Sequence, residues 1–119
     1  MTNENLAPKG PPLTSVRRAG NLLFVSGQLP RGQDGAIVPG DIVAQTRQSI
    51  ANLRTALATV GATLEHVVKI TAWLTDASYL DGFNRSYREA FAEPYPARST
   101  VISGLAAGDV EIEAVAWLP

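Results

Sequence analysis

The stretch from Asp41 to Val60 constrains this chain more than any other. Val43, Gln45 to Arg47, Ile50, Leu53, Leu57 and Val60 lie at helical spacing with polar residues between them. Asp41 is placed to cap the first turn, and Gly61 stands where a left-handed residue ends a helix. The spacing therefore predicts a helix over 41–60. A helix with one apolar stripe needs a surface to bury it.

That surface comes from strands on either side. Ser15–Ala19 and Leu22–Ser26 flank Gly20-Asn21, a two-residue turn signal. Residues 30–40 are rich in proline and glycine and read as a loop. Val67 to Leu74 reads as a strand with Val68, Ile70, Ala72 and Leu74 on one face and Lys69, Thr71 and Trp73 on the other. Asp76 is expected to cap a second helix with the stripe Leu80, Phe83, Tyr87, Ala90 and Phe91, ended by Pro94 and Pro96. Arg98–Ser103 and Val110–Trp117 supply the last two strands.

The order ββαβαββ predicts an α+β fold, a mixed sheet with both helices on one face, within one domain spanning 1–119. Two helices leave the second face of such a sheet uncovered. Trp73, Val115 and Trp117 lie on that face, which points to a homo-oligomer; tryptophans partly exposed or lying under a loop are the structural alternative.

Composition narrows the chemistry. Cysteine is absent and His66 is the only histidine, so thiolate metal sites, a cysteine nucleophile and multi-histidine sites are excluded. Ten Lys plus Arg against eleven Asp plus Glu give a net charge of −1, which offers no basic excess for nucleic acid. No apolar run approaches the ~20 residues of a membrane span. Met1–Gly10 carries Glu4 and lacks an apolar core, so no signal peptide is expected and the cytoplasm is the expected compartment. Neither a metal nor a cofactor is expected.

Two segments carry candidates for chemistry. In Pro96-Ala97-Arg98-Ser99-Thr100-Val101 an arginine opens a strand, and its planar fork suits a carboxylate; a solvated or salt-bridged arginine is the structural alternative. In Val110-Glu111-Ile112-Glu113-Ala114 two carboxylates share a face with Val115 and Trp117. Among apolar neighbours either could act as acid or base near neutral pH, or pair with an arginine across an interface. Ser26-Gly27-Gln28 gives a small polar step where a ligand can approach the backbone, or simply a strand end. His66 reads as an exposed loop residue; Asn84 and Tyr87 share one helix face, with Tyr87 read as core rather than catalytic.

Taken in order, Val25-Ser26-Gly27-Gln28-Leu29-Pro30, Gln45-Thr46-Arg47-Gln48-Ser49-Ile50-Ala51-Asn52-Leu53, Pro96-Ala97-Arg98-Ser99 and Val110-Glu111-Ile112-Glu113-Ala114 resemble the YjgF/RidA family of reactive-intermediate deaminases. The match runs from about residue 10 to the C-terminus. The resemblance implies a chorismate-mutase-like homotrimer with active sites between subunits. It implies cofactor-free hydrolysis of 2-imino acids or their enamine tautomers to 2-oxo acids and ammonia.

Carried over residue by residue, the resemblance makes Arg98 the clamp for the substrate carboxylate and Glu111 the holder of the attacking water. Ser26 and Gly27 match small pocket residues, and Thr100 stands where a backbone contact to the carboxylate is expected. Glu113 is left as structural. Leu13 replaces the tyrosine of the family's Gly-Pro-Tyr segment, which makes the pocket more apolar there. The alternatives are a deaminase dedicated to one pathway, of aminoacrylate or aminomuconate type, and a non-catalytic, chaperone-like trimer that holds small carboxylates. Ribonuclease activity comes last, given the charge balance and the lone His66.

Overall fold

A computed structural model describes residues 10–119. The expected irregular lead-in and the leader argument fall mainly on residues 1–9, outside the described residues. Five strands form one sheet: β1 (Val16–Ala19), β2 (Leu22–Gln28), β3 (Val67–Leu74), β4 (Ala97–Ile102) and β5 (Val110–Trp117). Their spatial order is β1-β2-β5-β3-β4. Only the β3–β4 pair is parallel, so the sheet is mixed.

The β1–β2 hairpin closes at Gly20, whose φ of +60° at the first turn position matches strand twist and suits glycine. The helix α1 (Ile42–Ala58) starts where Asp41 accepts a hydrogen bond from the Ala44 amide at 3.0 Å. It ends two residues earlier than the spacing predicts, because the Thr59 and Val60 amides bond three residues back in a tightened last turn. Val60 is consequently exposed, and the buried stripe is Gln45, Thr46, Ser49, Ile50, Leu53, Ala56 and Leu57.

The second helix starts later than the sequence suggests. Asp76 caps a 3₁₀ turn over Ala77–Tyr79, accepting from Ser78, and α2 (Leu80–Ala90) continues from it without a side-chain cap. Phe83 and Tyr87 are buried, whereas Leu80 is exposed. On β3, a register shift between Val67 and Lys69 turns Val67 inward and leaves Val68 47% exposed, reversing the expected place of Val68. His66 is no free loop residue: it ends a short 3₁₀ turn, and its Nδ1 accepts the Thr63 amide at 3.0 Å.

Both helices pack on one face. Leu23, Val25, Ile70, Ala72, Leu74, Val110, Ile112, Ala114 and Ala116 point toward them and are buried. The opposite face carries Leu22 paired with Trp117, Phe24 with Val115, and Trp73 with Val101. Phe24 and Trp117 are 45% and 51% exposed. Nothing within the described residues covers them.

Candidate active site

Glu111 owes its position to two neighbouring devices. Ahead of β5, the buried Gln45 grips Asp109: its Oε1 accepts the Asp109 amide at 2.9 Å and its Nε2 donates to Oδ2 at 3.2 Å. Thr75 donates to the other Asp109 oxygen at 2.7 Å. This anchors Asp109, two residues before Glu111 and just ahead of the strand. Beside it, β2 shifts register between Val25 and Gln28, so Ser26 and Gly27 bulge out of the ladder.

The bulge brings Gly27 against Glu111. A Cβ on Gly27 would stand 2.8 Å from Glu111 Oε2 and 2.9 Å from its Cδ, inside any real contact distance. Glycine is thus required for the carboxylate to lie where it does. Ser26 donates its hydroxyl to the Thr14 carbonyl at 2.6 Å, and Gln28 donates to the Ser26 carbonyl at 2.9 Å. Both bonds hold the bulge in shape. Partial burial, and secondarily the Glu113 carboxylate nearby, push the Glu111 carboxyl above its ordinary value. Glu113 itself is exposed on the same face.

Arg98 stands elsewhere. It pairs across β4 and β3 with buried Ile70, so it points toward the helix layer. Its guanidinium lies 4.8 Å from the Tyr87 ring centroid and 5.2 Å from that of Phe83. Cation–π contacts of this kind are worth about 0.5–2 kcal/mol, depending on how far the pair is desolvated. Tyr87 also stacks on Phe91 with centroids 4.5 Å apart. The aromatic run at helical spacing thus serves as a platform for Arg98 as well as core.

A cleft of about 240 Å³ opens there, lined by Asn84, Tyr87, Arg88, Tyr95, Pro96 and Arg98. Thr100, two residues along the strand, has a buried hydroxyl without a hydrogen-bond partner among the described residues, and so does Tyr87. Burial raises the Tyr87 hydroxyl above its ordinary value, with the Arg98 charge opposing. Leu13 is 61% exposed.

The structure therefore brings Ser26, Gly27 and Glu111 together, and separately Arg98 and Thr100. It does not bring the two groups together within one chain: Ile112 and Ile70 face the helices, so Glu111 and Arg98 occupy opposite faces of the sheet. Sequence reading paired Asn84 with Tyr87 on one helix face but took Tyr87 as core rather than catalytic, and it missed Arg88 and Tyr95 as cleft residues. The signal was available in the i, i+3, i+4 spacing of Asn84, Tyr87 and Arg88 on one helix face. Among the described residues no group of His, Cys, Asp or Glu is arranged to hold a metal ion, and no helix is long and apolar enough to cross a membrane.

Comparison with known proteins adds the family. The sequence model described as Endoribonuclease L-PSP matches residues 2–118. The mitochondrial protein mmf2 of Schizosaccharomyces pombe is 39% identical over 112 residues, covering 90% of this chain and 88% of that protein. A RutC family protein of Pyrococcus horikoshii is 40% identical over 109 residues, covering 89% and 86%. The crystal structure of RidA from an Antarctic Psychrobacter superposes with a TM-score of 0.86 at 30% identity, covering 99% of this chain and 97% of that one. On this sequence and structural likeness, the chain belongs to the YjgF/RidA family, the one described as Endoribonuclease L-PSP.

Proposed function

We propose that the protein is a cofactor-free deaminase that hydrolyses 2-imino acids and their enamine tautomers, such as 2-iminopropanoate and 2-iminobutanoate, to 2-oxo acids and ammonia. It acts in the cytoplasm as a homotrimer with three sites between subunits. The observation that carries this reading is the split between Arg98 and Glu111, which lie on opposite faces of one sheet. A substrate that touches both must sit between two copies. The exposed apolar patch of Leu22, Phe24 and Trp117 supplies the contact that joins them.

The chemistry follows from these groups. The Arg98 fork takes the substrate carboxylate in two charge-assisted hydrogen bonds. Glu111, ionised, holds a water against the imine carbon and accepts its proton as the C–O bond forms; the C=N π electrons move to the protonated nitrogen. Protonated Glu111 then returns that proton to the amine. The C–N bond breaks as the hydroxyl oxygen becomes the carbonyl, and its proton departs with the nitrogen as ammonium. The raised proton affinity of Glu111 suits a group that must take and return a proton near neutrality. Ser26 and Gly27 shape the water side, and Thr100 adds a backbone contact beside Arg98.

A reading as a pathway-specific deaminase is favoured by one observation. Leu13, apolar and 61% exposed, offers no hydroxyl to a small imine. Leu13→Tyr separates the two: a higher rate on 2-iminopropanoate is expected if this position tunes the pocket. Nuclease activity, which the family description names, finds little support in a net charge of −1.

The test is a trapped-imine assay. An amino-acid oxidase generates 2-iminopropanoate, semicarbazide captures what remains, and imine loss is followed with wild type and Arg98→Ala. Acceleration by wild type alone supports the deaminase. Equal traces with and without wild type would overturn it.

A further inference from the structure

We infer that the Arg98 cleft selects imino acids carrying a second carboxylate, and that Arg88 is the residue recognising it. This rests on the deaminase reading and adds a substrate class to it. The cleft is lined by two guanidinium groups, one carboxamide and two phenol rings and, among the described residues, by no carboxylate. Like charges sharing a cleft disfavour each other until an anion neutralises both.

Among the described residues neither arginine has an acid of its own. Arg98 rests on the rings of Phe83 and Tyr87. The acid next to Arg88 in sequence is Glu89, and Arg47 occupies it through two hydrogen bonds of 3.0 Å. That pairing is the one salt bridge among the described residues, and it leaves Arg88 without an ion-pair partner among them. Asn84 and Arg88, four residues apart on α2, lie on the same helix face and flank Tyr87.

Size agrees with charge. About 240 Å³ is room for about eight waters at ~30 Å³ each, more than the smallest imino acid fills. With one carboxylate on Arg98, the side chain of an imino acid extends along the cleft toward α2. A carboxylate at its end meets Arg88; a methyl group leaves that charge unanswered.

The experiment compares two imines in the same trapping assay, one generated from alanine and one from glutamate. For wild type, kcat/KM is expected to favour the dicarboxylate by about fivefold, the size of an ion pair at the rim of a solvated cleft. Arg88→Ala should bring that ratio to about one, and Arg88→Glu below one, since the opposed charge now repels. Turnover without any preference, or a preference untouched in Arg88→Ala, overturns the inference.

Binding of pyruvate and 2-oxoglutarate, followed by NMR titration of the same proteins, separates this from the deaminase reading. Tighter 2-oxoglutarate binding that needs Arg88, without imine turnover, supports the cleft assignment and removes the deaminase. Equal binding of both acids by wild type overturns the cleft assignment.

Discussion

The two faces of the sheet are built to opposite standards. On the covered face, Leu23, Leu53, Leu57, Ile70 and Ile112 are fully buried, and Arg98 finds its aromatic seat within the same chain. On the open face, Phe24 and Trp117 are half exposed beside Glu111, whose carboxylate is pressed against Gly27. The first face is finished by folding. The second has its catalytic candidate in place but, among the described residues, lacks a cover and an anion clamp. On the proposed reading, a chain of this size completes its core by folding and leaves its chemistry to assembly.

That contrast sharpens under mutation. The largest effect is expected from Arg98→Ala, which should lower kcat/KM on 2-iminopropanoate by about 10²-fold or more, on the scale of a lost bidentate carboxylate clamp. Light scattering should show its oligomeric state unchanged. A mutant as active as wild type would remove Arg98 from the site.

Next come paired truncations, one per face. Leu57→Ala should destabilise the protein by about 2–5 kcal/mol in denaturant titration, because a fully buried side chain leaves a cavity. Trp117→Ala should instead shift the oligomer toward smaller species in light scattering while the chain stays folded by circular dichroism. If both act on assembly alike, the distinction between the faces collapses.

Gly27→Ala tests the close approach at the bulge. The added methyl must displace a carboxylate oxygen that would stand 2.8 Å away. A fall of about tenfold in kcat with little change in KM is expected, since in the proposed mechanism Glu111 acts on the water and not on substrate binding. An unchanged rate would mean that Glu111 works from some other position.

The smallest effect concerns stability. Burial raises the Glu111 carboxyl in the folded state, so the folded chain holds that proton more tightly than the unfolded one. The stability this gives is complete below the unfolded carboxyl value and is lost as pH rises through the folded one. Glu111→Gln should therefore raise Tm at neutral pH, and the gain should shrink as the pH falls through the raised folded value and vanish below the usual carboxylate range. A mutant less stable than wild type at neutral pH would contradict the burial argument.

Much of this was legible before any coordinates. The element order, the mixed sheet with both helices on one face, β5 at Val110–Trp117 and the Gly20-Asn21 turn follow from period and turn chemistry. What escaped has physical causes. Val68 and Val67 exchange faces because a bulge breaks the period of two, and a bulge has no residue signature there. Arg47, counted with the stripe of α1, is exposed and paired with Glu89, while Ser49, left out of it, is buried; the Asp109 partner that holds the buried Gln45 lies 64 residues away in sequence. The motifs mark Arg98 and Glu111 as residues without saying that they face apart; only the register of β4 against β3 does that.

The central claim is that one site draws Arg98 and Glu111 from different copies, and subunit mixing tests it most directly. Arg98→Ala and Glu111→Gln are each expected to be inactive. Co-refolded in equal amounts, with exchange verified by distinct affinity tags, they should recover about a quarter of wild-type activity, the share of interfaces receiving both intact residues on random assembly. No recovery above the parent mutants, with exchange verified, would place both residues in one subunit's site and contradict the account.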